Sequence, residues 1–433
     1  MKKGLMLLLI ILIMLIGCND DNKESESSDG GDSAMERFTG SWSGAIEIPG
    51  QPLDININFE NTEELSGDIS IPVQGVQNFP LSTIKVEENN IEFTMEIQGQ
   101  YITFDGNLES EKINGTFKQN GQSFPFELAK GEAAGNKAGE DGEFIEIKTD
   151  HGTLYGELES PEGKGPFPVM IIIPGSGPTD RNGNSPGIQN DSLKLLAEQL
   201  AENGVASLRY DKRGAGKNIE AAIPEKEMTF EQMVNDAVLW VEYLVKDEKY
   251  SNVGIIGHSQ GSLVGMLAAQ VSDVSSFVSL AGAGQSIDKV LESQLEKQLP
   301  ENLLKESKEI IQKLKKGNQA EQVSQELQSV FRPSVQKFLS TWMQYDPAEE
   351  IQKLEIPILI VNGDNDLQVP VSEAESLFRA EENSELLIIE KMNHVLKEAP
   401  ADREGNMQTY TNPDLPLADG LTNGIVEFLK GNN

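Results

Sequence analysis

The 433-residue chain has one cysteine, three histidines, and 35 lysines and arginines against 70 aspartates and glutamates. The single thiol, Cys18, excludes an intramolecular disulfide. Histidines scattered at 151, 258 and 394, with no second cysteine, cannot build the usual zinc cluster, so no metal is expected. Gly214-Ala215-Gly216-Lys217 lacks the spacing of a phosphate-binding loop, so no nucleotide cofactor is expected either. The net charge of −35 argues against nucleic acid and against an anionic membrane surface as partners. The acidic residues are dispersed, as on a solvated face, and do not identify a substrate. The apolar run from Leu5 to Ile16 is too short to span a bilayer as a stable helix.

That run follows Met1-Lys2-Lys3-Gly4 and fits the h-region of a signal peptide over residues 1–17. Leu15-Ile16-Gly17-Cys18 resembles the lipobox of bacterial lipoproteins. The resemblance implies lipidation of Cys18, cleavage before it, and an exported protein held by a lipid anchor on the extracytoplasmic face of the cell membrane. An ordinary signal peptide with an incidental thiol is the alternative. Residues 18–35 are polar and poor in large apolar side chains, which predicts a disordered tether.

The most informative stretch is Gly257-His258-Ser259-Gln260-Gly261. It follows the apolar run Val253-Gly254-Ile255-Ile256 and precedes a helical apolar pattern through Leu263, Val264 and Leu267. Strand, G-x-S-x-G and helix together make a nucleophile elbow, with Ser259 lifted off the sheet. A second apolar run, Ile356 to Val361, leads into Gly363-Asp364-Asn365-Asp366. A third, Leu386 to Ile389, leads into Met392-Asn393-His394. Ser, Asp and His therefore occur in the chain order of α/β-hydrolases. His151 falls in an expected hairpin turn, and the elbow aims His258 away from Ser259, which leaves His394 as the candidate base.

Residues from about 144 to 430 resemble a bacterial α/β-hydrolase of the serine aminopeptidase-like and short-chain carboxylesterase group. Besides the elbow, the matching pieces are Ile171-Ile172-Ile173-Pro174-Gly175-Ser176-Gly177-Pro178-Thr179-Asp180-Arg181-Asn182-Gly183 and Ser207 to Lys217. The chain departs from many members at Pro174 and Asn218. Both Asp364 and Asp366 could orient His394. The family pattern Gly-x-x-Asp-x-x-Val is met by Gly363, Asp366 and Val369, and so favours Asp366. One oxyanion donor is the backbone N–H of Gln260, and the resemblance implies that Ser176 in the Gly175-Ser176-Gly177 loop supplies the other.

The expected organisation is a β-domain over 36–130, a linker over 131–143, and an α/β-hydrolase domain over 144–433. The β-domain alternates with period two, as in Ile55-Asn56-Ile57-Asn58-Phe59, between recurrent turn residues. About eight short strands are expected, closed or half closed into a small antiparallel β-barrel-like domain. In the hydrolase domain strands alternate with helices, which predicts a parallel sheet covered on both faces. The alternation breaks over about 285–350, where a helical cap insertion is expected. Its Phe331, Phe338, Trp342 and Tyr345 either line a pocket or seat the cap.

These features predict a serine hydrolase that cleaves small carboxylic esters. An aminopeptidase of the same fold is the alternative, and a non-catalytic ligand-binding lipoprotein is a third possibility.

Overall fold

The computed structural model describes residues 32–432 except 48–52, 62–64, 72–75, 98–99, 120–121, 132–141 and 186–187. The expected signal peptide, Cys18 and most of the expected tether and linker lie outside the described residues. The chain divides into two compact units, with the boundary between Asp141 and Gly142.

The first unit opens with helix α1 (Asp32–Phe38). The helix starts four residues inside the segment predicted to be tether, because Phe38 is fully buried and its carbonyl accepts from Trp42 Nε1 at 2.6 Å. Nine strands follow: β1 (Gly40–Ile46), β2 (Leu53–Asn61), β3 (Leu65–Ile71), β4 (Val76–Pro80), β5 (Thr83–Glu87), β6 (Asn90–Ile97), β7 (Gln100–Glu109), β8 (Lys112–Gln119) and β9 (Gln122–Lys130). They form one antiparallel sheet in the order β4-β3-β2-β1-β9-β8-β7-β6-β5. The sequence predicts about eight strands. Among the described residues there are nine, and the sheet ends on β4 and β5.

Period-two alternation explains the sidedness of this sheet. Ile91, Phe93 and Met95 of β6 are buried, while Glu92 between them is exposed. Aromatic rings fill the buried side. Phe93 stacks on Phe104 with centroids 4.6 Å apart, and Phe126 meets Phe104 edge-on at 5.4 Å. Gly106 of β7 pairs with Gly115 of β8.

The second unit is built on strands β10 (Glu143–Thr149), β11 (Gly152–Glu159), β12 (Phe167–Ile173), β13 (Ala206–Tyr210), β14 (Tyr250–His258), β15 (Ser276–Leu280), β16 (Ile358–Gly363) and β17 (Glu385–Ile389). The sheet order is β10-β11-β13-β12-β14-β15-β16-β17. The β10–β11 and β11–β13 pairs are antiparallel, and from β13 onward the pairs are parallel. The central strands read as continuous apolar runs because both sides are covered. Val169, Ile171 and Ile173 of β12 enter one core, and Met170 and Ile172 enter the other.

Helices α2 (Ser192–Glu202), α3 (Phe230–Leu244) and α4 (Gln260–Ala269) follow β12, β13 and β14 in the chain. The insertion folds as α5 (Ile287–Glu296), α6 (Glu301–Lys315), α7 (Gln328–Phe331), α8 (Gln336–Trp342) and α9 (Pro347–Glu350). It is followed by α10 (Val371–Ala380), α11 (Arg403–Gln408) and α12 (Leu421–Gly431). Helices α3, α4 and α10 share one core with the insertion, while α2 and α12 form the other. The aromatics of the insertion seat it on α3: Trp342 stacks on Phe230 at 5.5 Å, with Tyr345 at 5.8 Å and Phe338 at 6.1 Å. Phe331 is fully buried in the same core.

Phe104 touches three aromatic neighbours, Phe93, Phe117 and Phe126, with no solvent exposure, so Phe104→Ala is expected to cost about 3–5 kcal/mol. Urea denaturation of the full chain checks this. The transition of the first unit should move to lower urea while that of the second stays in place.

Candidate active site

Strand β14 runs straight into a strained turn at Ser259, which takes φ 54 and ψ −119, and α4 starts at the next residue. Two glycines permit the turn. A β-carbon on Gly257 would lie 2.3 Å from the Gly261 carbonyl oxygen, and one on Gly261 would lie 2.4 Å from that of Ile173. The Ser259 N–H donates to the Leu280 carbonyl at 2.9 Å, which ties the turn to β15.

His394 arrives on the loop after β17, and Asp366 on the loop after β16. His394 Nδ1 lies 2.8 Å from Asp366 Oδ2, and His394 Nε2 lies 3.1 Å from Ser259 Oγ. A carboxylate can only accept, so Nδ1 carries the proton and Nε2 accepts from the Ser259 hydroxyl. The other Asp366 oxygen accepts from the N–H groups of Gln368 at 2.8 Å and Val369 at 2.9 Å. Asp364 points elsewhere and accepts from the Lys391 N–H at 2.5 Å.

The two loops are laced by side-chain amides that the sequence did not single out. Asn393 Nδ2 donates to Thr409 Oγ1 at 2.7 Å, and Asn393 Oδ1 accepts from the N–H groups of Val395 and Lys397. Asn365 Nδ2 donates to the Ala399 carbonyl at 2.7 Å, and Asn406 Nδ2 to the Asn365 carbonyl at 2.9 Å. Their only signal was position, directly before His394 and Asp366 in the cases of Asn393 and Asn365.

His258 also has a place in the site. Its Nε2 lies 2.9 Å from the His394 carbonyl oxygen, so this nitrogen donates and the neutral tautomer is set. The rings are 5.0 Å apart. Burial, and then the neighbouring His394, push the His258 pKa down to about 4. His258 thus braces the loop that carries the base, a role its place in the sequence did not announce.

The Gly175-Ser176-Gly177 loop follows β12 and lies against the elbow. A β-carbon on Gly175 would be 3.4 Å from Ser259 Cβ and 3.3 Å from His258 Nδ1. Lys212 holds the loop in place: its amine donates to the Gly175 carbonyl at 2.8 Å and to Gln260 Oε1 at 2.9 Å. Burial pushes the Lys212 pKa down to about 7. The Ser176 carbonyl accepts from Thr179 Oγ1 at 2.8 Å, which closes the turn. The backbone N–H of Gln260 is in the first turn of α4, where such groups have no partner within the helix.

Farther along, Asp180 Oδ1 accepts from the N–H groups of Asn182 and Asn184, both at 2.8 Å, and burial raises the Asp180 pKa to about 6. Arg181 pairs with Asp211 at 2.9 Å and with Glu157. Asn218, one of the departures from the family pattern, is fully buried. It accepts from the Tyr155 N–H at 2.7 Å and donates to the Asp211 carbonyl at 2.6 Å.

A small pocket opens beside Gln260. Its lining comes from the end of β12 and Pro174, from 210–236 and from α4, not from the insertion aromatics. Its carboxylate, Asp236, is held at both oxygens by Arg213, at 2.8 Å each.

Residues 190–398, which include Ser259, Asp366 and His394, match the family described as serine aminopeptidase, S33. A stretch of 249 residues is 28% identical to Esterase EstD of Thermotoga maritima, over 56% of this chain and 58% of that protein. The chain thus spans a little over half the length of that relative. Among solved structures, Est1E from Butyrivibrio proteoclasticus aligns with 66% of this chain and 99% of its own, at 20% identity and a TM-score of 0.46. The alpha/beta hydrolase GrgF from Penicillium aligns with 67% of this chain and 98% of its own, at 19% identity and a TM-score of 0.45. The elbow after a parallel strand and the order Ser, Asp, His along the chain are features of an α/β-hydrolase fold.

The depressed pKa of His258 has a consequence for acid stability. Between pH 6.5 and 4 the unfolded chain binds a proton at this residue and the folded chain does not, so stability falls as pH falls through that window. The contribution is roughly 3 kcal/mol over the window. Urea unfolding at a series of pH values should show wild type losing that much more than His258→Gln between pH 6.5 and 4. Parallel curves would contradict it.

Proposed function

We propose that this protein is a serine hydrolase that cleaves small carboxylic esters through an acyl-enzyme. The reading rests on one observation, the hydrogen-bonded chain from Ser259 through His394 to Asp366. In it Ser259 Oγ attacks the ester carbonyl carbon while His394 Nε2 takes the hydroxyl proton. Asp366 keeps the ring in the required tautomer and stabilises the imidazolium. The carbonyl π electrons move onto oxygen, and the N–H groups of Gln260 and Ser176 are the assigned donors to that oxyanion. Collapse expels the alcohol, protonated by His394. Water then repeats the sequence on the acyl-enzyme and frees the acid and Ser259.

The aminopeptidase reading draws on the name of the matched family. A site for a substrate α-ammonium needs a carboxylate with capacity to spare. In the pocket beside Gln260 both oxygens of Asp236 are committed to Arg213, which favours an uncharged ester. The relative named an esterase supports the same choice. The helical insertion is assigned as a cap, and the substrate is a small molecule rather than nucleic acid.

The test compares p-nitrophenyl butyrate with aminoacyl p-nitroanilides. Ser259→Ala and His394→Ala should each lower kcat by at least roughly 10⁴-fold without loss of fold. Asp366→Asn should cost on the order of 10³- to 10⁴-fold through the wrong tautomer. Asp364→Asn, whose carboxylate braces Lys391 instead, should cost less than about tenfold. Faster turnover of an anilide that depends on its free amine would overturn the ester assignment.

The protein is also proposed to be exported and lipid-anchored through Cys18, on the basis of the sequence Leu15-Ile16-Gly17-Cys18. Fractionation of cells expressing wild type and Cys18→Ala checks this. Wild type should partition with membranes and the variant should not; identical partitioning of both into the soluble fraction would refute the anchor.

A further inference from the structure

The two assigned oxyanion donors come from different elements. The Ser176 N–H belongs to the loop after β12, and the Gln260 N–H to the first turn of α4. Among the described residues neither N–H has a hydrogen-bond acceptor. One side chain joins the two elements: the Lys212 amine donates to the Gly175 carbonyl at 2.8 Å and to Gln260 Oε1 at 2.9 Å. The Gly175 carbonyl and the Ser176 N–H are the two ends of one peptide unit. That peptide is trans, so its C=O and N–H point in opposite directions, and fixing the oxygen fixes the N–H. A cation on the oxygen also draws electron density from the nitrogen and makes the N–H a stronger donor. Both acceptors of Lys212 are neutral, and the charged groups around it are committed to others. Asp236 pairs with Arg213, Asp211 with Arg181, and Asp180 accepts from the N–H groups of Asn182 and Asn184. A charge that burial disfavours is kept here without a carboxylate partner among the described residues.

We propose that Lys212 is the positioning residue of the oxyanion hole: its ammonium aims and polarises the Ser176 N–H through the shared peptide and holds the first turn of α4 beside it through the Gln260 side chain. The inference rests on the ester-hydrolase reading and on its two assigned donors. The charge acts on the substrate oxygen only as that oxygen becomes negative, so it stabilises the transition state more than the bound ester. Burial pushes the Lys212 pKa down to about 7, so the ammonium predominates below pH 7 and the amine above it. The neutral amine keeps two N–H groups, enough for both acceptors. Losing the proton therefore removes the charge and leaves the hydrogen bonds. His258, against the same loop, has a pKa of about 4 and stays neutral across that range. Asp180 titrates at about 6. It and His394 are common to wild type and variants, so a difference between their pH profiles isolates Lys212.

The experiment measures kcat and KM of the full-length enzyme on p-nitrophenyl butyrate from pH 5.5 to 9, for wild type, Lys212→Met and Lys212→Gln. At pH 6.5 Lys212→Met should lower kcat on the order of 10²-fold, the effect of losing an oxyanion donor, with KM changed less than about threefold. Affinity for a trifluoromethyl ketone, whose adduct on Ser259 carries the oxyanion, should weaken by a similar factor. Lys212→Gln keeps an amide donor without the charge and should recover only part of the loss. In wild type kcat should fall above pH 7 to a lower plateau, and in Lys212→Gln this step should be absent. If Lys212→Met does not fold, the glutamine variant and the pH profiles carry the test. A kcat within about threefold of wild type in the variants, a loss confined to KM, or the same pH step in wild type and Lys212→Gln would overturn the role of Lys212. Labelling by a fluorophosphonate separates this failure from that of the parent reading. Wild type labelled at Ser259 and turning over ester, with variants unchanged, loses only the role of Lys212. Wild type that neither labels nor turns over ester overturns both.

Discussion

Ser259 adopts φ 54 and ψ −119, a conformation that costs a residue with a side chain on the order of 1–3 kcal/mol. The surroundings over-determine it. Its N–H is held by Leu280, its carbonyl accepts from the Ser262 N–H at 3.0 Å, and backbone crowds both flanking glycines. The same crowding brings the start of α4 against the end of β12, with Gly261 closest to Ile173. The loop from Gly175 onward therefore begins beside the nucleophile. Relaxing this turn would move the serine, the first N–H groups of α4 and the facing loop together.

Around that turn, polar groups rather than apolar packing set the loop positions. Asp366 is satisfied on one oxygen by two backbone N–H groups and on the other by His394. Asn393, fully buried, gives its amide to Thr409 and takes two backbone N–H groups. Lys212 joins the Gly175 carbonyl to the Gln260 side chain. A buried polar group left without partners is costly, so each of these has essentially one favourable arrangement. His258 belongs with them, and its low pKa keeps it a neutral donor to the His394 carbonyl at physiological pH.

The first unit has a different economy. Its strands carry alternating sequences, and the buried side is closed by stacked and edge-on phenylalanines rather than by buried polar groups. The number and extent of its strands were the least legible part of the chain. Short alternating segments separated by Gly and Asn allow several partitions, and α1 carries no periodic pattern beyond one turn. Its assignment depends on Phe38 reaching the interior, which no local signal announces.

Local chemistry determined much of the second unit. The bounds of α2 and β13 follow from apolar periodicity, and the elbow from two glycines around a serine. The order Ser259, Asp366, His394 could be read because each residue follows an apolar run that forms a parallel strand. Which of Asp364 and Asp366 meets the imidazole could not be derived from composition, since both lie in one short loop. The fold decides it by turning Asp364 to Lys391 and Asp366 to His394. The roles of Lys212, His258 and Asn393, and a pocket lined from 210–236 instead of by the insertion aromatics, were likewise decided only in three dimensions. Periodicity is a property of neighbours along the chain, whereas a hydrogen bond between residues 37 or 136 positions apart exists only once the sheet has brought their strand ends together.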